Sequence, residues 1–178
     1  GLYEWDDIDL HVSLAEQYDM QTVATINGWW SSYRPESLVG VDRPLYTDEG
    51  RQYWVNQYLA PVLSRYSTRI RSYELMNEPN AWWNEEDPMA ATGFAQPIGS
   101  PVYYADLVEK SWTAAQGIDP DIRVTPALAS LNWEEDLSRL SQLGVFDTVT
   151  NGLTLHNYGG LFEERMAIVN KILAAEGY

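Results

Sequence analysis

Cysteine is absent from the 178 residues, which excludes a disulfide framework and a thiolate metal site and leaves no mark of a redox compartment. Histidine is scarce. His11 and His156 alone cannot build a histidine-rich metal centre, and no metal or other cofactor is expected. Positive charge is also in short supply: Lys and Arg number 11 against 26 Asp and Glu, a formal net charge of −15. Such a field repels phosphate backbones and anionic lipid, so nucleic acid and membrane surfaces are poor partners. No apolar run approaches the roughly 20 residues that a membrane helix needs. The opening GLYEWDDIDL has neither a basic nor an apolar leader region, and a soluble chain is expected, whether secreted or cytoplasmic. Glycine motifs that cradle phosphate, G-x-G-x-x-G and G-x-x-x-x-G-K, follow none of the apolar runs.

What is present is enough for one core. At 45% hydrophobic content, residues 1–178 are expected to form one domain. Eight Trp and twelve Tyr against three Phe favour rings with a polar handle, suited to half-wet surfaces. The spacing predicts a helix over 7–18 with Ile8, Val12 and Ala15 inward and Asp6 and Asp7 at its start. TVATI, residues 22–26, reads as a buried strand. A second helix carries Val55, Leu59 and Val62, with Pro61 expected to kink or restart it, and ends near Tyr66. IRSYELM, residues 70–76, is the second strand. Ser100-Pro101 resembles an N-cap followed by Pro at the first helical position, opening a helix with Tyr104, Leu107, Val108 and Trp112 inward. RVTPALA, a helix from Trp133 to Leu143, GLTLH and a last helix with Met166, Val169 and Leu173 complete the alternation. Four strands between helices, without hairpin signals, predict a parallel α/β sheet with right-handed crossovers. Without a phosphate-binding glycine motif, the (β/α)8 TIM barrel is the better architecture, about half of it in this chain.

In a parallel barrel, function gathers where strands end. Those places are Asn27-Gly28-Trp29-Trp30, Asn77-Glu78-Pro79-Asn80, Ser130-Leu131-Asn132-Trp133 and His156-Asn157-Tyr158. Each joins polar to aromatic residues. Sugars present apolar C–H faces and a rim of hydroxyls, so a sugar site needs flat rings together with amides and carboxylates.

The stretch YELMNEPN resembles the acid/base strand of clan A, a glycoside hydrolase superfamily on the (β/α)8 barrel. GLYEWDDIDLHVSLAEQYDMQTVATI is similar to the region from the loop after that barrel's second strand through its third. RYSTRIRSYELMNEPN resembles the fourth strand and NGLTLHNYGG the sixth. Within the clan, YELMNEPN followed by tryptophans is similar both to the β-xylosidase and iduronidase family and to the large cellulase and mannanase family. The resemblance implies retaining hydrolysis of β-linked oligo- or polysaccharides. Glu78 would protonate the departing oxygen and later activate water, and Asn77 would hydrogen-bond the sugar 2-hydroxyl. His156 and Tyr158 would line the sugar site, with Trp29, Trp30, Trp82, Trp83 and Trp133 as stacking platforms.

In that clan the nucleophile is a second Glu, about 5 Å from the acid at the end of the seventh strand, and it is expected outside this chain. Glu85, Glu86, Glu134, Glu135, Glu163 and Glu164 stand in loops or helix starts, and none is assigned that role. Glu74 shares strand parity with Glu78 and reads as a structural ion-pair member. His156 has a structural reading too, as a buried imidazole bonded to its surroundings; His11 reads as surface, and Trp54 and Trp112 as core. The expected partners are carbohydrate and either the remainder of the barrel or a second chain that covers the open sheet edges. A second functional reading is a non-catalytic carbohydrate-binding or scaffold half-barrel.

Overall fold

The computed structural model describes residues 5–27, 44–83, 100–129, 132–149, 152–156 and 161–178, with the side chain of Trp82 outside the description. Trp29, Trp30, Glu85, Glu86 and Tyr158 also lie outside the described residues. The elements run α1 (Asp6–Gln17), β1 (Val23–Ile26), α2 (Asp48–Trp54), a π-helical turn (Val55–Leu59), α3 (Ala60–Tyr66), β2 (Ser72–Leu75) and α4 (Pro101–Ile118). They continue with β3 (Arg123–Leu128), α5 (Trp133–Gln142), α6 (Val145–Thr148), β4 (Thr154–Leu155) and α7 (Phe162–Ala175). All strand pairs are parallel, in the order β1-β2-β3-β4. Among the described residues no helix is long and apolar enough to cross a membrane.

Pro61, expected to kink or restart the second helix, stands in the first turn of α3, which begins directly after the π-helical turn. A proline ring crowds the carbonyl four residues before it and offers no N–H. The chain absorbs this with a wider turn, in which the Ala60 N–H bonds to the Val55 carbonyl five residues back. Trp54, Val55, Leu59, Val62, Leu63 and Tyr66 are buried along the combined segment. α4 starts as expected: extended Ser100 accepts a hydrogen bond from the Val102 N–H, and Pro101 follows at the first position.

Strand register sorts side chains between the two faces of the sheet. Thr25 lies opposite Glu74, and Glu74 opposite Thr125, so these three share one face. Thr125 Oγ1 is 2.9 Å from Thr154 Oγ1 on that same side. It is a polar face, corresponding to a barrel interior. Tyr73, Leu75, Val124 and Leu128 are fully buried residues of the core that the sheet forms with its helices.

Two expectations are corrected at the margins. β1 is half open rather than buried: Val23 is 62% exposed and Thr25 is exposed, because β1 is an edge strand of the described sheet. Of the three inward residues expected on α1, Val12 is buried but Ile8 is 41% exposed. Polar contacts hold that helix instead. Asp9 accepts from Arg65 at 2.5 Å and from the Tyr66 hydroxyl at 2.8 Å, and Glu16 takes two hydrogen bonds of 2.8 Å from Arg69. At the other end of the sheet, Leu161, Phe162 and Met166 are exposed beside β4 and on α7.

Candidate active site

β2 rises between two strands and ends in a turn of unusual backbone. Met76 (φ 61°) and Glu78 (φ 51°, ψ 50°) both adopt the left-handed conformation that L side chains avoid. Glu78 also precedes Pro79, which crowds the residue before it. Strain of this kind costs about 1–3 kcal/mol per residue and persists where the surroundings over-determine it. The surroundings here are specific. The Met76 N–H donates to the Ile26 carbonyl at 2.9 Å, and the Asn77 N–H donates to Asn27 Oδ1 at 2.9 Å. Pro79–Trp82 then form a single 3-10 turn.

The turn aims Glu78 at the end of β4. His156 Nδ1 lies 3.0 Å from Glu78 Oε1, while His156 Nε2 lies 3.2 Å from each oxygen of Glu74. Glu74 is 4% exposed and also accepts from the Thr25 hydroxyl at 3.2 Å. One imidazole therefore spans two carboxylates four residues apart, Glu74 on β2 and Glu78 in the turn that follows it. It does so across β3, whose inner-face residue at this height is the small, fully buried Ala127. A neutral imidazole can donate to one of the two carboxylates, whereas the protonated ring donates to both. Burial works against the charge on His156, but its hydrogen bonds to Glu78 and Glu74, together with their negative charges, outweigh it and raise its pKa above 6.5.

That shift has a consequence for stability. The folded value lies above the unfolded one, so the stabilising contribution is complete below about pH 6.5 and is lost as pH rises through the raised value. Urea midpoints are expected to fall across that window, and His156→Gln should abolish this part of the slope. An unchanged slope in the variant would refute the assignment.

At the upper end of the β2–β3 pair a side chain enters the ladder. Pro126 stands opposite Leu75 and has no N–H to give. The Tyr104 hydroxyl, from α4, fills the gap above it. It donates to the Leu75 carbonyl at 2.7 Å and accepts from the Ala127 N–H at 2.8 Å. Burial pushes the pKa of this phenol well above its ordinary range. Two residues further along, Asn80 makes the connection: its Oδ1 accepts from the Ala129 N–H at 2.6 Å, and its Nδ2 donates to Asp136 at 2.5 Å and to the Ala129 carbonyl at 3.5 Å.

The expected site residues are placed unequally. Glu78 and His156 meet directly, and Asn77 is exposed beside them at the open end of the sheet. Glu74, read as an ion-pair member, has His156 as its partner. Trp83 is half-buried and leans on Tyr104, with ring centroids 5.7 Å apart. Trp133 is corrected: it is 2% exposed in the core, with the Arg165 guanidinium 5.3 Å from its ring centre, because the first turn of α5 directs it inward. It is packing surface rather than an open platform. Glu134, Glu135, Glu163 and Glu164 occupy first turns of α5 and α7, where helix dipoles favour acidic groups. Asn27 and Asn80 were named among the strand-end residues without a role, and Tyr104 was read only as an inward helix residue; their parts in the site were not foreseen. The signals were present in part: Asn80 directly follows Glu78-Pro79, and Pro126 marks a break in the ladder.

No protein-family model and no curated protein matches the chain by sequence. Solved structures do match by fold. A psychrophilic glycoside hydrolase family 10 endo-β-1,4-xylanase superposes with a TM-score of 0.65 at 13% identity, covering 97% of this chain and 56% of that one. Xylanase 10B from Thermotoga maritima gives 0.62 at 19% identity, covering 98% and 53%. A family 39 glycoside hydrolase from Bacteroides cellulosilyticus WH2 gives 0.58 at 18% identity, covering 86% and 28%. The chain thus spans about half the length of the xylanases it matches, or less for the family 39 enzyme. Its four parallel strands and their helices are a partial (β/α)8 barrel, and the resemblance to clan A glycoside hydrolases read from the sequence holds at the level of fold.

Proposed function

We propose that this chain is part of a retaining glycoside hydrolase barrel acting on β-linked oligo- or polysaccharides, with Glu78 as general acid and base. The observation that carries the reading is the placement of Glu78. It sits at the C-terminal end of an interior barrel strand, in a strained left-handed conformation, hydrogen-bonded to His156. A carboxylic acid there can protonate a departing glycosidic oxygen and then take a proton from water. Asn77, exposed on the same rim, is placed for a sugar hydroxyl. Glu74 is engaged by Thr25 and His156 and serves to orient the imidazole. The nucleophile is assigned to a part of the barrel outside this chain, as are the remaining βα units that would cover Val23 on one edge and Phe162 and Met166 on the other. Structural neighbours that are xylanases make xylan-type β-1,4 chains the first substrates to try.

The test is hydrolysis of a panel of β-linked xylo-, gluco- and manno-oligosaccharides by the intact protein, with the anomeric configuration of the first product followed by NMR. Release of product with retained configuration is expected. Inverted product would overturn the retaining mechanism. Binding of an oligosaccharide without turnover would favour a carbohydrate-binding half-barrel instead.

A further inference from the structure

We propose that Asn80 is a positioning residue for Glu78, tying the turn that carries this carboxylate to the end of β3 and the first turn of α5. The inference rests on the reading of Glu78 as the acid and base. Asn80 is 7% exposed, and its amide is used in the manner of a strand backbone: the carbonyl oxygen takes the Ala129 N–H, and the amino group reaches the Ala129 carbonyl. Asp136 fixes which way round the amide sits, because a carboxylate can accept only from the amino side.

The choice of anchor matters. The residue before Ala129, Leu128, accepts the backbone N–H of His156 at 2.9 Å. Leu128 at the end of β3 and Ala129 just after it therefore hold the two sides of the site, one through a backbone bond to His156 and one through the Asn80 amide to the Glu78 turn. The 3.0 Å contact between Glu78 and His156 is set by this shared support. Only Pro79 separates Glu78 from Asn80, so loosening the amide frees a strained turn to relax.

Among the described residues, Glu78 and Glu74 are the carboxylates hydrogen-bonded to His156, and the imidazole can report the position of Glu78 without any turnover. In a His11→Gln background, leaving one imidazole signal, Glu78→Gln sets the NMR titration midpoint for a ring that has lost the Glu78 charge. Asn80→Asp places a carboxylate against Asp136 and removes both amide donors. It is expected to move the His156 midpoint most of the way toward the Glu78→Gln value. Adding Asp136→Asn restores a donor facing an acceptor and is expected to bring the midpoint back. In the same variants, kcat on substrates with poor leaving groups should fall and recover in parallel while KM holds.

A His156 midpoint unmoved in folded Asn80→Asp would overturn the proposal. If that single variant does not fold, the double variant decides: a midpoint near the native value supports the clamp, and one near the Glu78→Gln value, or a double variant that also fails to fold, overturns it. These readouts are separate from the function itself. If Glu78→Gln leaves turnover intact, the acid assignment falls while the titration still judges the clamp.

Discussion

Replacing Glu78 by Gln in the intact protein is expected to lower kcat on natural oligosaccharides by about 10²–10⁴-fold, the usual contribution of a positioned general acid. Gln keeps the size and a hydrogen-bonding oxygen near His156 but has no proton to deliver to the leaving oxygen. The loss should depend on the leaving group. An activated aryl glycoside departs without protonation, so its first step is spared. Hydrolysis of the resulting intermediate still needs a base to activate water, and that step becomes limiting. Pre-steady-state measurements should therefore show a burst of phenol followed by slow turnover. Undiminished kcat on an unactivated oligosaccharide would remove Glu78 from the mechanism. Equal losses on activated and natural substrates, without a burst, would point to a collapsed site.

Tyr104→Phe is expected to be the most damaging single-atom change in the fold. The hydroxyl is fully buried and completes the ladder between the Leu75 carbonyl and the Ala127 N–H. Removing it leaves two buried backbone groups unpaired, at about 1–3 kcal/mol for each. Urea unfolding at neutral pH should record the loss as a lower midpoint with an unchanged slope. A loss below about 1 kcal/mol would mean that the strands close and bond directly. The same variant loosens the strand just below Met76 and Glu78, so a smaller fall in kcat should accompany the loss of stability.

These expectations draw on features that differed in legibility. YELMNEPN placed Glu78 at a strand end, because an apolar run broken by Asn-Glu-Pro can be read from residue types alone. The Ser100-Pro101 cap was equally local and equally readable. Pro61 was read as a kink or restart, and α3 does begin with it in the first turn; that the join to α2 is a π turn depends on the packing of Val55, Leu59 and Val62, which local sequence does not contain. α1 departs from its pattern. Its apolar spacing names Ile8 as inward, but burial needs a surface to meet, and the described residues place only Val12 against the core. Trp133 was assigned to the mouth of the barrel by its position after a strand. The first turn of α5 rotates it into the core, and rotation about a helix axis is not visible in a residue count.

The sequence alone determined the order of elements, the parallel sheet and the strand end that carries Glu78. All of these follow from periodicity, turn residues and proline, which act over a few positions. Tertiary structure alone decided who meets whom. His156 reaches Glu78 and Glu74 across β3, and Tyr104 enters a strand ladder from a helix. Asn80 closes on Ala129, 49 residues away. Each contact depends on strand register and on crossovers that bring distant segments to one height, and small residues such as Ala127 open the space between them. No local pattern encodes that sum of placements.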